Sequence, residues 1–162
     1  MATTLIKYWS YTLLWFSIIL LSSCTKVKSQ INQVQAQVQP QKLLLFQKTP
    51  CYGTCPAYNA TFYTDGSVFY EGFRYAPVQD TLTLQLSKEQ LQTLKITVKD
   101  LDYTSLKDNY LSPYTDLPSS YLTFYEQDKE VRRIKHQQEG PKQLQEFIKE
   151  LEQLVMQLLK IK

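Results

Sequence analysis

The chain has 162 residues, 18 of them basic and 15 acidic, for a formal net charge of +3. That length suits a single domain with one core once targeting segments are set aside. The densest basic run, residues 131–135, divides its charges between two strand faces, so we interpret it as solvated surface. Because a nucleic-acid-binding protein needs a clustered basic face, the composition argues against that class.

The first 23 residues have the pattern of a secretory signal peptide. Lys7 is their only charged residue, and the apolar run over 11–21 is shorter than the roughly 20 residues that span a bilayer. The run ends in Leu-Ser-Ser-Cys, which resembles the bacterial lipobox and implies cleavage before Cys24 and a lipid anchor on that cysteine. Two or three acyl chains hold a protein on a membrane, whereas one binds only marginally. The alternatives are an ordinary signal peptide with a chance cysteine and an uncleaved anchor.

Residues 24–41 are predicted to be a flexible tether. The segment is rich in glutamine and has no glycine or aromatic residue, so it buries too little apolar surface to offset its ordering entropy. Fully extended, its 18 residues reach about 60 Å. The alternation of Val34, Ala36 and Val38 leaves an edge strand as the alternative. Thr25 stands where inner-membrane lipoproteins commonly carry aspartate, which by resemblance favours the outer membrane.

The remaining chain, residues 42–162, is predicted to form a single α+β domain that opens with strands. The apolar run over 42–49 ends at Pro50 and predicts a buried strand. Asp65-Gly66 is a turn signal between two runs of aromatic and β-branched residues, which predicts a hairpin with a two-residue loop. That register pairs Phe62 with Phe69. It puts Tyr58, Ala60, Phe62 and Phe69 on the core face and Asn59, Thr61, Tyr63, Val68 and Tyr70 on the other face.

Three further strands and two helices complete the domain. Residues 80–86 alternate leucine with polar residues, as a half-buried strand does. Ser87 is the predicted N-cap of the first helix, and Gln90 completes a capping box. Residues 121–125 and 131–136 indicate a second hairpin, whose register stays open because the segment between them has no strong turn signature. The predicted apolar faces are Leu91, Leu94, Val98 and Leu101 in the first helix and, after Pro141, Leu144, Phe147, Ile148, Leu151, Leu154, Val155 and Leu158 in the last.

This order of elements predicts an α+β fold with a mostly antiparallel sheet of about five to six strands and two helices packed on one face. Residues 104–120 follow neither a helical nor a strand period and hold two prolines, which predicts a long ordered loop. In that loop Asp116 is expected to bond the backbone amides of a turn, with Pro118 stiffening the exit. Contact with a ligand is the alternative role for Asp116.

Cys51 and Cys55 lie in the stretch TPCYGTCP. If Cys24 is lipidated, they are the two thiols left in an oxidising compartment, so we predict a structural disulfide in a turn that Gly53 makes flexible. A redox pair is the second interpretation, although such pairs usually have two intervening residues at a helix start. A metal site is the third, but His136 is the only histidine to complete it. We therefore predict no metal and no cofactor.

A set of motifs resembles a known family. They are TPCYGTCPAY, then FYTDGSVFYEG, a Ser-Lys-Glu-Gln-Leu helix start and YTDLPSSYLTFY. Over roughly residues 42–155 the chain resembles the bacterial domain of unknown function numbered 6438. That family has no assigned activity, so the resemblance implies domain limits and a lipoprotein setting but no catalytic residue.

The sequence favours a lipid-anchored, non-catalytic binding module of the cell envelope. Prolines stiffen the cysteine loop and the SPYTDLP loop, and their tyrosines supply contact area at low entropic cost. The expected partners are the membrane, through the anchor, and an envelope protein, a glycan or peptidoglycan. The alternatives are a thiol-disulfide or metal-assisted enzyme centred on the two cysteines and a purely structural envelope protein. The candidate binding surface consists of Tyr52, Tyr58, Tyr114 and Asp116.

Overall fold

The computed structural model describes residues 39–114 and 116–160, and one compact unit begins at Pro40. The predicted signal peptide, Cys24 and nearly all of the predicted tether lie outside the described residues. Within those residues, no helix is long and apolar enough to cross a membrane. The elements are β1 (Lys42–Lys48), β2 (Tyr58–Tyr63), β3 (Ser67–Gly72), β4 (Thr81–Gln85), α1 (Lys88–Asp100), β5 (Asn109–Tyr110), β6 (Ser120–Glu126), β7 (Lys129–His136) and α2 (Lys142–Leu158).

The seven strands form one sheet in the order β4-β3-β2-β1-β6-β7-β5. Neighbouring strands are antiparallel except for β5 and β7, which are parallel. The predicted α+β fold is confirmed, with one strand more than expected. The additional strand is the two-residue β5, which lies in the segment predicted to be a loop.

Both helices cover one face of the sheet, and the core lies between this face and the helices. Successive side chains of a strand point to opposite faces, so Leu44 and Phe46 of β1 are both buried against the helices. The Phe124 ring of β6 stacks on the Phe147 ring of α2 with centroids 6.4 Å apart. The helix faces predicted from the sequence are confirmed. Their buried residues are Leu94, Val98 and Leu101 with Leu144, Phe147, Ile148, Leu151 and Val155.

The register predicted for the first hairpin is wrong by one residue. The loop between β2 and β3 contains three residues, 64–66, and Phe62 pairs with Val68 instead of Phe69. Gly66 has a φ of +88°, the left-handed conformation that closes a three-residue hairpin loop. A shift of one residue exchanges the two faces of a strand. Val68 is therefore in the core, whereas Phe69 is 36% exposed.

The start of α1 and the loop of the second hairpin had local sequence signals of different strength. The strong one, the capping box of α1, is confirmed: the Ser87 N–H donates to Gln90 Oε1 at 2.8 Å, and the Gln90 N–H donates to Ser87 Oγ at 3.2 Å. The second hairpin had no such signal. Its two-residue loop consists of Gln127 and Asp128, both at positive φ, as a type I′ turn requires.

Arg132 is not part of a solvated surface, contrary to the interpretation of its basic run. Its Nη1 lies 2.9 Å from Asp108 Oδ1, and its Nη2 donates to the Leu106 carbonyl. The Lys135 N–H donates to the Asp108 carbonyl at 2.8 Å. These contacts hold the segment before β5 against β7. A strand that depends on such distant partners leaves no periodic signal in its own sequence.

The two ends of the sheet are built differently. At one, which we call the turn end, the chain enters β1, and the loops 64–66 and 127–128 have three and two residues. At the opposite end, which we call the loop end, the connections 49–57, 73–80 and 111–119 have eight or nine residues. Short turns leave little surface of their own, whereas long ordered loops commonly carry function.

Candidate functional site at the loop end

The cysteine loop, residues 49–57, connects β1 to β2. It contains the predicted disulfide, with the α-carbons of Cys51 and Cys55 5.5 Å apart. The Gly53 N–H points back into this small ring and donates to Cys51 Sγ at 3.3 Å. Tyr52, inside the ring, is 95% exposed. The disulfide therefore holds a short loop that presents one aromatic side chain to solvent.

The SPYTDLP loop, residues 111–119, leads into β6. The Ser112 hydroxyl donates to Gln138 Oε1 at 2.8 Å and accepts the Tyr114 N–H at 3.1 Å. These bonds tie the loop to the segment that follows β7. Tyr114 is 69% exposed, and Asp116 is exposed in the turn that follows.

The structure brings these two loops together at the same end of the sheet. Lys48, the last residue of β1, pairs with Ser120, the first residue of β6. Beyond that pair, the Thr49 N–H donates to the Ser119 carbonyl at 2.9 Å, and the Ser119 N–H donates to Thr49 Oγ1 at 2.8 Å. The loop that carries Tyr52 therefore begins beside the end of the loop that carries Tyr114.

A third loop, residues 73–80, joins them and was not predicted to be part of the site. The Phe73 N–H donates to the Ala57 carbonyl at 2.9 Å, and the Ala57 N–H donates to the Arg74 carbonyl at 3.1 Å. These bonds place the loop beside the cysteine loop. Phe73 and Tyr75 are both exposed. The stretch FRYAP, with two aromatic residues and a cation after a strand, was the signal that could have pointed to it.

The exposed large apolar side chains concentrate at the loop end. Of the nine that the described residues expose, six lie in these three loops. The other three, Phe69, Ile96 and Val131, lie in β3, α1 and β7. The six form what we call the loop-end surface: Tyr52, Phe73, Tyr75, Leu111, Tyr114 and Leu117.

A protein family described as "Domain of unknown function (DUF6438)" matches residues 42–155. The chain belongs to this family. The matched range contains all seven strands, α1 and most of α2, and it agrees with the resemblance seen in the motifs. No curated protein matches the chain.

In the DUF6438 domain Tyr58 is a core residue and not part of the exposed surface, which corrects the prediction for it. Its side chain is 1% exposed, because the alternation along β2 points it toward the helices. The ring packs edge-on against Phe46, with centroids 6.0 Å apart, and lies 5.7 Å from the Tyr70 ring. Burial raises the pKa of the Tyr58 hydroxyl well above its usual value, and the nearby Glu152 carboxylate raises it further.

The enzymatic alternatives would use metal-ligating side chains, His136 or the two cysteines of the DUF6438 domain. Among the residues that the structure describes, no three histidine, cysteine, aspartate or glutamate side chains are grouped to hold a metal ion. The Nε2 of His136 lies 2.7 Å from the Glu139 carbonyl oxygen. The loop that carries the disulfide leads into β2, whereas redox cysteines are usually placed at a helix N-terminus. The loop end also presents the six exposed side chains of the loop-end surface.

Proposed function

We propose that this DUF6438 protein is a lipid-anchored protein of the bacterial cell envelope that binds another envelope protein through its loop-end surface. The observation that carries the proposal is the placement of six of the nine exposed large apolar side chains in three adjoining loops. Contiguous exposed apolar patches on soluble domains mark interaction sites. Aromatic side chains near the centre of such a patch supply much of the binding energy.

The contacts that hold the cysteine loop and the SPYTDLP loop in place support this proposal. The disulfide closes the loop of Tyr52, and the Ser112 hydroxyl bridges the Tyr114 backbone to Gln138. The Thr49 N–H joins the first loop to the second. A surface that is already ordered loses less conformational entropy on binding, so more of its contact energy appears as affinity.

The position of the chain's entrance into the domain also supports it. The Thr64 N–H donates to the Gln41 carbonyl at 2.8 Å, so the chain reaches β1 from the turn end. The seven residues of β1 then span roughly 23 Å to the loop end. The chain that precedes Gln41 therefore joins the sheet at the end opposite the loop-end surface.

The anchor is tested by the Cys24→Ala variant of the full chain. We expect this variant to stay uncut or to become soluble, whereas the wild-type protein stays with envelope membranes after an alkaline wash. A variant that is cleaved at the same place and still resists the wash would show that Cys24 does not carry the anchor.

The loop-end surface is tested by photo-cross-linking in intact envelopes. A photoreactive residue is placed at Tyr52 in one full-length variant and at Ile96 of α1, which is also exposed, in the control. We expect a discrete protein adduct from position 52 and none from position 96. Equal adducts from both positions, or none from position 52, would contradict the proposal.

A further inference from the structure

The sheet face that the helices leave open has a depression of about 430 Å³ beside the loop end. Its lining comes from β1, β2 and the loops that follow β1 and β3. This volume is large enough to seat part of a small molecule against the polar groups of the lining. The lining residues that matter here are Gln47, Asn59, Phe73 and Arg74.

The two amides of the depression are held in fixed orientations by a chain of hydrogen bonds across four strands. Arg133 Nη2 donates to Gln47 Oε1 at 3.5 Å, Gln47 Nε2 donates to Asn59 Oδ1 at 2.9 Å, and Asn59 Nδ2 donates to Glu71 Oε2 at 3.2 Å. These hydrogen bonds run from the Arg133 guanidinium to the Glu71 carboxylate. Both amides therefore direct their oxygen toward the Arg133 side and their nitrogen toward the Glu71 side. Each amide nitrogen keeps a second N–H and each amide oxygen a second lone pair for a ligand.

Phe73 and Arg74 belong to the lining of the same depression. Phe73 is 47% exposed, so part of its ring is open to a ligand. The Arg74 guanidinium packs over the Tyr75 ring at 4.7 Å and donates to the Tyr75 hydroxyl at 2.9 Å. This bond uses one of the five N–H donors of an arginine, which leaves donors for a carboxylate.

We infer that the depression binds an N-acetylated sugar that carries a carboxylate. The apolar face of a sugar ring packs on an aromatic ring, here Phe73, while hydroxyl and acetamido groups need both donors and acceptors, which Gln47 and Asn59 provide. The carboxylate pairs with Arg74. In cell-wall glycan strands such a sugar alternates with a neutral N-acetylated one, and its carboxylate is free where the stem peptide has been removed, so the inference rests on the envelope location proposed above. The depression shares Phe73 with the loop-end surface, but sugar binding there needs no protein partner.

Calorimetric titration of the full-length chain tests the inference with N-acetylmuramic acid and, as the neutral comparison, N-acetylglucosamine. We expect the acidic sugar to bind about tenfold tighter, because only its carboxylate can form a hydrogen-bonded charge pair with Arg74. Arg74→Gln should remove that preference, and Phe73→Ala should weaken both sugars. The matched control is Thr83→Ala, an exposed position on the same face in β4.

Arg74 and Phe73 are both exposed, so their variants should melt with the wild-type protein, and a change in binding can then be assigned to the site. Binding of neither sugar, or binding that both variants leave unchanged, would overturn the inference. If sugar binding is absent while the Tyr52 adduct forms, this inference alone fails. If sugar binding is present and the adduct is absent, the proposed function of the loop-end surface fails instead.

Discussion

The turn end and the loop end of the sheet differ in the length of their connections and in the contacts that hold them. At the turn end, the backbone of residues 64–66 and 127–128 reverses in the fewest residues and uses positive φ angles to do so. At the loop end, three long connections are held by a disulfide and by hydrogen bonds between loops. The first end closes the scaffold, and the second builds a surface on it.

The difference between strands and loops explains why two nearby tyrosines differ in exposure. Tyr58 and Tyr52 belong to neighbouring parts of one chain, yet the first is 1% exposed and the second 95% exposed. The backbone of β2 fixes which way Tyr58 points, whereas the disulfide ring leaves Tyr52 directed to solvent. Composition alone makes the two residues alike, and only their position in the fold distinguishes a core residue from an exposed one.

The largest expected effect comes from removing a scaffold aromatic. Tyr58→Ala should lower the free energy of unfolding by about 3–5 kcal/mol, the usual cost of truncating a buried aromatic ring. Tyr52→Ala should change it by less than about 0.5 kcal/mol, since that ring packs against nothing in the core. Chemical denaturation of both variants measures the contrast. Similar losses in the two variants would break the distinction between scaffold and loop end.

A smaller effect is expected from the disulfide. Replacing both cysteines, Cys51→Ala with Cys55→Ala, should lower the free energy of unfolding by about 2 kcal/mol, the chain-entropy value for so small a ring. Gly53→Ala is the control inside the ring, because an added Cβ would meet Cys51 Sγ at 3.8 Å, an ordinary contact. That variant should melt close to the wild type. Two free thiols in the purified, unreduced protein would rule out this stabilising role.

The smallest effect is a pH dependence at the turn end. Hydrogen bonds from the Ser67 hydroxyl, at 2.7 Å, and from the Ser67 N–H hold the pKa of the Asp65 carboxyl below its usual range. Because the pKa is lowered in the folded state, this stabilisation is present above about pH 4 and is lost as the pH falls through the folded value. Asp65 is exposed, so solvent keeps the effect small.

Unfolding of wild type and Asp65→Asn at pH 6 and at pH 2.5 measures this dependence. The wild-type protein should lose more stability between the two pH values than the variant does. Ser67→Ala, which removes the hydroxyl donor, should reduce the wild-type loss. If the difference between wild type and Asp65→Asn is the same at both pH values, the Asp65 carboxylate has no such role.

Periodic patterns predicted the scaffold, because they reflect forces within one element. The capping box at Ser87 and the apolar stripes of both helices depend on residues three or four apart, and both were found. The first hairpin was predicted, but its register was not. Asp65-Gly66 fits both a two-residue loop and the observed three-residue loop, and the choice between them moved Phe69 from the core to the open face.

The site was predicted less completely, because its residues meet only through the sheet. Tyr52 and Tyr114 were placed on one surface, and the pairing of Lys48 with Ser120 brings their loops together. Phe73 and Tyr75 were missed, since nothing local indicates that the loop after β3 lies beside the cysteine loop. Tyr58 was assigned to the surface by its nearness to the cysteines, although the alternation of β2 had already placed it in the core.

The central claim is that binding lies in the loop-end surface. Its most direct test takes the protein that cross-links to position 52 and measures how much of it each of two variants recovers from intact envelopes. One carries Tyr52→Ala with Tyr114→Ala, and the other carries Ile96→Ala with Val131→Ala, two exposed apolar residues away from the loops. We predict that the first loses the partner with an almost unchanged melting temperature, while the second retains it. Equal recovery by both variants, or loss by the second alone, would contradict the claim.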